Sequence, residues 1–247
     1  MTDRKDHLVI LSPLGFYNLT SPMIITIDGP AGVGKSSAAR GLADRLGFQY
    51  LDTGAMYRTV ALAALRAEIH LDDTEAIKPL LATMAIQLPP TGQVLLNEEI
   101  VTTLIRSQEV TSGSSRAATN PTVRLHLREL QRQIARERDI ICEGRDQGTV
   151  VFPHATCKFF LVANPAVRAR RRFEQLQDRG EEVLLQDIVE AQKERDARDG
   201  SRDIAPMVPA YDAVVLDTTQ LTLDQVLERM EWEVRRCGIG STTTGTS

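Results

Sequence analysis

The sequence predicts an α/β fold in which a parallel sheet is covered by helices on both faces. Two observations carry this. Short apolar runs suited to buried strands, MIITI at 23–27, DIIC at 139–142, CKFFLV at 157–162 and AVVL at 213–216, alternate with helical stretches. A glycine-rich loop also stands between the first of these runs and an amphipathic helix. At 247 residues, 42% of them hydrophobic and 25% charged, the chain suits one domain with an insertion better than two full domains.

Taken in order, residues 1–22 carry no clear periodicity, and the convincing fold begins at Met23. That residue is read either as the native start or as the end of a loose extension. The strand MIITI leads through the glycine loop into a helix ending at Leu46. FQYL at 48–51 is a second short strand, closing at Asp52 and Thr53 where another helix opens. Residues 86–105, IQLPPTGQVLLNEEIVTTLI, break the alternation with short β-like runs around Pro-Pro and Thr-Gly, which predicts an antiparallel hairpin inserted on the core. Asn120-Pro121 is a helix start, with Val123, Leu127, Leu130 and Ile134 as its buried face. Asn164-Pro165 repeats the signal before an arginine-rich helix. After the last strand, AVVL, Thr222 and Gln225 form a capping box for the closing helix. The small, polar end GIGSTTTGTS predicts a flexible tail over 237–247.

A net charge of -4 argues against general affinity for nucleic acid. Five lysines stand against 24 arginines, most of these between Arg116 and Arg202. Either the coding preference favours arginine, or a site is lined with planar forks that grip phosphate and carboxylate; composition does not choose. Cys142, Cys157 and Cys237 lack metal-like spacing and read as free thiols in a reducing compartment. The four histidines are scattered and supply neither a metal cluster nor an obvious general base. The run LVILSPLGF is short, broken by Pro13 and without a cleavage site, and no segment approaches the roughly 20 apolar residues of a membrane span. A soluble, cytoplasmic protein with no membrane partner is expected.

GPAGVGKS, Gly29 to Ser36, fits G-x-x-x-x-G-K-[ST] at every fixed position. The glycines of the stretch Gly29, Pro30, Ala31, Gly32, Val33 and Gly34 let backbone N–H groups, all but that of Pro30, which has none, turn inward around the phosphates of a nucleoside triphosphate. Lys35 neutralises the β- and γ-oxygens, Ser36 offers a ligand to Mg²⁺, and the following helix, with Ser37, points its positive end at the anion. The loop does not name the acceptor. No Asn-Lys-x-Asp guanine motif is present, and in DIICEGRD the strand-end Glu143 runs into Gly-Arg-Asp, an odd continuation for a hydrolase but a sensible one for a second anion.

Four further clusters mix arginine with hydroxyls or carboxylates. DTGAMYR places Thr53, Tyr57 and Arg58 at a helix opening, and EGRDQGT places Arg145 and Asp146 past a strand end, where α/β sheets bind ligands. ERDARDGSR brings Arg195, Asp199 and Arg202 to helical spacing, and VRARRR carries Arg168, Arg171 and Arg172. Singly, each has an ordinary explanation: Arg58 and Arg124 as surface charges, ERDARD as an i,i+4 ion-pair face, RARRR as a solvated face. Jointly, an acidic protein that concentrates arginine at strand ends and helix openings needs anions to neutralise it.

The segments IDGPAGVGKSS, YLDTGAMYR, EGRDQGTVVFP, KERDARDGSR and PMVPAYDAVVLDTT, in this order, resemble the signature segments of bacterial cytidylate kinase, from about Met23 to about Arg236. The resemblance implies a P-loop, adenylate-kinase-like domain over 23–236, with a nucleoside-monophosphate-binding insertion near 80–120 and a helical lid near 168–200. It implies transfer of the γ-phosphoryl of MgATP to CMP or dCMP by a monomer. By position, Gly29 to Ser37 bind ATP, and Thr53, Arg58, Arg145 and Arg202 hold the acceptor phosphate. Ser115, Arg124 and Asp146 recognise cytosine, Arg195 and Asp199 hold the sugar, and Arg168 with Arg171 or Arg172 close over the donor phosphates. Glu143 stands where some members have Asp, and Thr53 where many have Ser. Two rivals remain at this point. A kinase of the same fold for UMP, AMP or a non-nucleotide acceptor should lack the insertion and the ERDARDGSR pattern, and a non-catalytic nucleotide-binding regulator should have lost part of the arginine set.

Overall fold

The computed structural model describes residues 22–202 and 204–239. The extension expected over 1–22 lies outside them except for its last residue, and so does the expected tail beyond Ile239.

β1 (Ile24–Asp28) runs into the glycine loop and α1 (Lys35–Leu46), which ends on Gly47 in the left-handed conformation. β2 (Gln49–Asp52) passes directly into α2 (Thr53–Arg66), capped by the Asp52 carboxylate accepting from Ala55 N. α3 (Thr74–Thr83) precedes the small strands, and α4 (Gln108–Ala117) and α5 (Pro121–Ala135) follow them. β6 (Ile140–Glu143), β7 (Cys157–Val162), α6 (Pro165–Gln177), α7 (Leu185–Gly200), β8 (Val214–Asp217) and α8 (Leu223–Ile239) complete the chain. Five strands form one sheet in the order β2-β6-β1-β7-β8, and every neighbouring pair is parallel. The first strand is therefore central, and the glycine loop leaves the sheet at the carboxyl ends of its strands, the edge where such sheets bind ligands.

Alternating side chains of these apolar strands feed two cores. Ile25, Ile27, Phe159 and Leu161 pack with Leu42 of α1 and Met230 of α8 on one face. Leu51, Ile140 and Cys142 pack with Met56 and Val60 of α2 and Leu127 of α5 on the other. The Asn120 and Asn164 side chains cap α5 and α6 by accepting from Thr122 N and Ala166 N, and Thr222 and Gln225 form their reciprocal box. The buried face of α5 is Val123, Arg124, Leu127, Gln131 and Ala135; Leu130 and Ile134 only flank it. One polar side chain on that face, Arg124, pairs with Asp146 across the site described below.

The inserted strands form a three-stranded antiparallel sheet rather than a single hairpin. β3 (Ile86–Gln87) pairs with β4 (Leu95–Leu96), which pairs with β5 (Glu99–Ile100). The tight turn is Asn97-Glu98, with φ of 48° and 70°, a left-handed pair typical of two-residue hairpins. Glu at the second turn position hides that signal from the sequence. α6 and α7 share a small apolar cluster of their own, Ala169, Leu176 and Ile188, apart from both faces of the sheet.

Candidate active site

The carboxyl edge of the sheet opens into one broad cleft lined by the glycine loop, the start of α2, α4, the segment after β6, and α6 with α7. Where the loop leaves β1, Gly29 has φ 137°, and a Cβ there would lie 2.2 Å from Leu161 O, so only glycine fits. Lys35 is buried and donates from Nζ to Pro30 O at 2.6 Å. Burial, then the Arg145 charge, pull its pKa well below the usual lysine range, with Glu143 opposing.

Ser36 Oγ donates to Glu143 Oε2 at 3.0 Å, and Tyr50 OH donates to the other carboxylate oxygen. Burial and neighbouring Asp52 raise the Glu143 pKa, with Lys35 opposing. Asp28, at the end of β1, accepts from Gln147 N at 2.9 Å and Gly148 N at 2.7 Å, and burial raises its pKa to about 6. Both of its oxygens are thus committed to the π-helical turn Gln147–Val151, which fixes the direction in which Arg145 and Asp146 leave β6.

The acceptor-side residues converge on two buried carboxylates. Asp199 Oδ2 accepts from Arg145 Nε at 2.9 Å and its Oδ1 from Arg202, while Arg195 Nε lies 4.0 Å away. Burial pushes the Asp199 pKa upward, but the charges of Arg145, Arg202 and Arg195 outweigh it and the group sits below its usual value. Arg195 is in turn lowered to about 10 by burial and by Arg145, with Asp199 opposing. Asp146 Oδ2 accepts from Arg124, whose other amine donates to Ala118 O at 3.2 Å; no protein donor among the described residues meets Asp146 Oδ1. Tyr57, its hydroxyl pKa pushed up to about 12 by burial, and Ser115 line the same corner.

Of the other expected residues, Thr53, Arg58, Arg171 and Arg172 line the cleft, and Arg168 is buried behind the glycine loop. Thr53 Oγ1 donates to Glu143 O at 2.6 Å, and Arg58 pairs with Asp52 at 3.1 Å. Arg168 crosses to the glycine loop, donating to Ala31 O at 3.0 Å, and pairs with Asp196 at 2.6 Å. Arg171 donates to Thr218 O at 2.7 Å, a contact that fastens α6 to the end of β8. Arg172 stays half-buried; burial and Arg179 lower its pKa. Arg58, Arg168, Arg195 and Arg202 each keep a buried Nε–H with no acceptor among the described residues. Buried donors of this kind are rare unless water, an ion or a ligand uses them.

Among the cleft residues that escape the sequence reading are two arginines, Arg106 and Arg179. Arg106 closes a single 3₁₀ turn, Leu104–Arg106, after the inserted strands, and Arg179 follows α6. Burial, then the Arg58 and Arg179 charges, lower the Arg106 pKa. Its neighbours in sequence, Ile105 and Ser107, carry no signal that it faces a cleft.

The cytidylate kinase family model matches residues 25–236. The chain belongs to the cytidylate kinase family. It is 44% identical over 212 residues to the cytidylate kinase of Pasteurella multocida, covering 85% of this chain and 93% of that one. It is 47% identical over 211 residues to the cytidylate kinase of Syntrophotalea carbinolica, covering 84% and 90%. The matched span includes the glycine loop, the Arg124–Asp146 pair and the whole Asp199 network, so family membership and the cleft concern the same residues. Among the described residues no helix is long and apolar enough to cross a membrane.

Proposed function

We propose that the protein transfers the γ-phosphoryl of MgATP to CMP or dCMP, giving ADP and CDP or dCDP. The observation that carries the reading is the Arg124–Asp146 pair at the wall of a cleft whose floor is a triphosphate loop. Cytosine presents an acceptor at N3 beside an amino donor at position 4. A guanidinium beside a carboxylate with one free oxygen is the complementary edge. Uracil reverses both groups and would meet both of these charges with the wrong polarity.

The acceptor phosphate is largely ionised at neutral pH, so no general base is needed, and among the described residues no histidine lines the cleft. The difficulty is bringing two polyanions together. Lys35, Arg145, Arg202 and Arg168 would neutralise the approaching oxygens and the charge spread over the transferring group, with the orphaned Nε–H donors supplying directed hydrogen bonds. In this reading Arg58 and Thr53 hold the acceptor phosphate, Arg195 and Asp199 the sugar, and Gly29 to Ser37 the donor. Arg171 or Arg172 with Arg168 draws α6 and α7 over the donor, excluding water that would hydrolyse ATP.

Ser36 and Glu143, oxygens 3.0 Å apart, form a hard donor set. That suits Mg²⁺ held mainly by substrate phosphates, with Ser36 as ligand and Glu143 orienting the hydroxyl. Bound there, the ion supplies charge neutralisation at the β- and γ-oxygens. We take the enzyme to act as a cytoplasmic monomer. A coupled ADP-release assay across CMP, dCMP, UMP and AMP tests the reading; turnover is expected with the cytidine nucleotides, and preference for UMP or AMP, or no turnover at all, refutes it.

A further inference from the structure

Away from the cleft, two thiols meet without any role in the chemistry above. Cys157 opens β7 opposite Ile25 of the central strand, and Cys237 lies in the last turn of α8. Their sulfur atoms are 2.9 Å apart across 80 residues of sequence, so a movement of about 0.9 Å brings them to bonding distance. Cys157 is buried, whereas Cys237 is half-buried and reachable from solvent. A Cβ at the neighbouring Gly238 would lie 3.2 Å from the methyl of Met23, the residue before β1, and Cys237 packs against the core cluster that holds Met23 and Cys157, so this turn of the helix lies close to the sheet. Cys142, the third cysteine, is buried, and burial raises its pKa.

We propose that Cys157 and Cys237 are a redox modification site: a hydroperoxide oxidises them to a reversible disulfide that ties α8 to the central sheet. The Cys237 thiolate attacks the peroxide, forming an S–O bond as O–O breaks; sulfur loses two electrons, and the leaving hydroxide takes up a proton to become water. The Cys157 thiol then attacks that sulfur. The S–S bond forms as S–O breaks, and hydroxide leaves with the Cys157 proton as a second water. Two thiols and one hydrogen peroxide thus give one disulfide and two waters. The order follows from exposure and from proton affinity: the hydrogen bond with Cys157 pulls Cys237 down to about 7, and the same contact pushes Cys157 up. An accessible low-pKa thiol beside a resolving thiol is the arrangement that redox-sensitive pairs require.

The bond would form at the amino end of β7, whereas the cleft lies at the carboxyl ends. One strand length, roughly 20 Å, separates them. Closing an 80-residue loop would stabilise the chain while leaving the chemistry untouched.

The test uses the full chain, treated with one equivalent of hydrogen peroxide, quenched with catalase, and analysed by denatured thiol titration, intact mass and peptide mapping. Expected are a fall from three free thiols to one, a loss of about 2 Da, a cross-link between the Cys157 and Cys237 peptides, and full reversal by dithiothreitol. Tm should rise by about 5–15 °C on oxidation, with kcat within about twofold of the reduced enzyme. Cys142→Ser should lose two thiols as before, and Cys237→Ser should lose the cross-link and the Tm rise. Retention of all three thiols, gain of oxygen mass in place of the cross-link, or a disulfide involving Cys142 overturns the proposal.

Discussion

Asp146→Asn is the sharpest perturbation of the base-reading corner. Asp146 is 4% exposed and Arg124 8%, so their pair works where solvent screens little, and Asn preserves the shape while removing the charge. The carboxylate can only accept; the amide turns a donor toward the position that Oδ1 holds. Cytosine's amino group then meets a donor, and uracil's carbonyl gains a partner. A buried polar group left unpaired costs about 1–3 kcal/mol, which is a factor of roughly 5 to 150 in the ratio of the two substrates. The kcat/KM ratio of CMP to UMP should fall by about 10- to 100-fold, while KM for ATP stays within about twofold. The assay is ADP release with each acceptor, run well below the melting temperature. Weakening a buried pair also lowers stability, by up to about 3–5 kcal/mol if Arg124 is left without an acceptor. Equal loss of CMP and UMP activity, or an unchanged ratio in a folded variant, would refute the reasoning.

Asp199→Asn removes the charge that Arg145 and Arg202 share, and should lower kcat/KM for CMP by about 100-fold or more with a stability loss of about 3–5 kcal/mol; denaturant melts and steady-state kinetics check both, and a fully active variant would contradict the network's role. Arg106→Gln should raise KM for CMP by about 3- to 10-fold, leave KM for ATP unchanged, and not lower Tm, since it relieves repulsion with Arg58 and Arg179. An unaltered KM for CMP would remove Arg106 from the site. Asp28 has its pKa raised from 3.8 to about 6, so the folded chain holds a proton that the unfolded chain has released. Its ionisation therefore opposes folding by about 3 kcal/mol at neutral pH, a penalty absent below about pH 4 that develops as pH rises to 6. Urea midpoints of wild type against Asp28→Asn should favour wild type more at pH 4.5 than at pH 7.5; an equal difference at both would refute the assignment.

Legibility from sequence followed the range of the interactions involved. The glycine loop, the Asn120 and Asn164 caps and the Thr222–Gln225 box depend on groups within about four residues, and the structure has each where the residue order implied. The single hairpin expected near 86–105 became three strands because its turn, Asn97-Glu98, uses two left-handed residues without glycine. Leu130 and Ile134 fell to the flank of α5 because Arg124 and Gln131 occupy the buried face, which periodicity counted by hydropathy overlooks.

By itself the sequence determined a strand, loop and helix that cradle phosphate, arginines placed at strand ends and helix openings, and the family that these segments resemble. Each of these is local chemistry written in neighbouring residues. The tertiary structure alone decided which of those residues meet. Arg124 reaches Asp146 across 22 residues, Arg145 reaches Asp199 across 54, and Cys157 touches Cys237 across 80. Such contacts follow from the strand order β2-β6-β1-β7-β8 and the helices packed on it, which bring Arg124, Asp146, Arg145 and Asp199 to the carboxyl edge of the sheet and Cys157 and Cys237 to the amino edge. Pairing at those edges depends on crossovers and packing of the whole chain, and no local pattern encodes it.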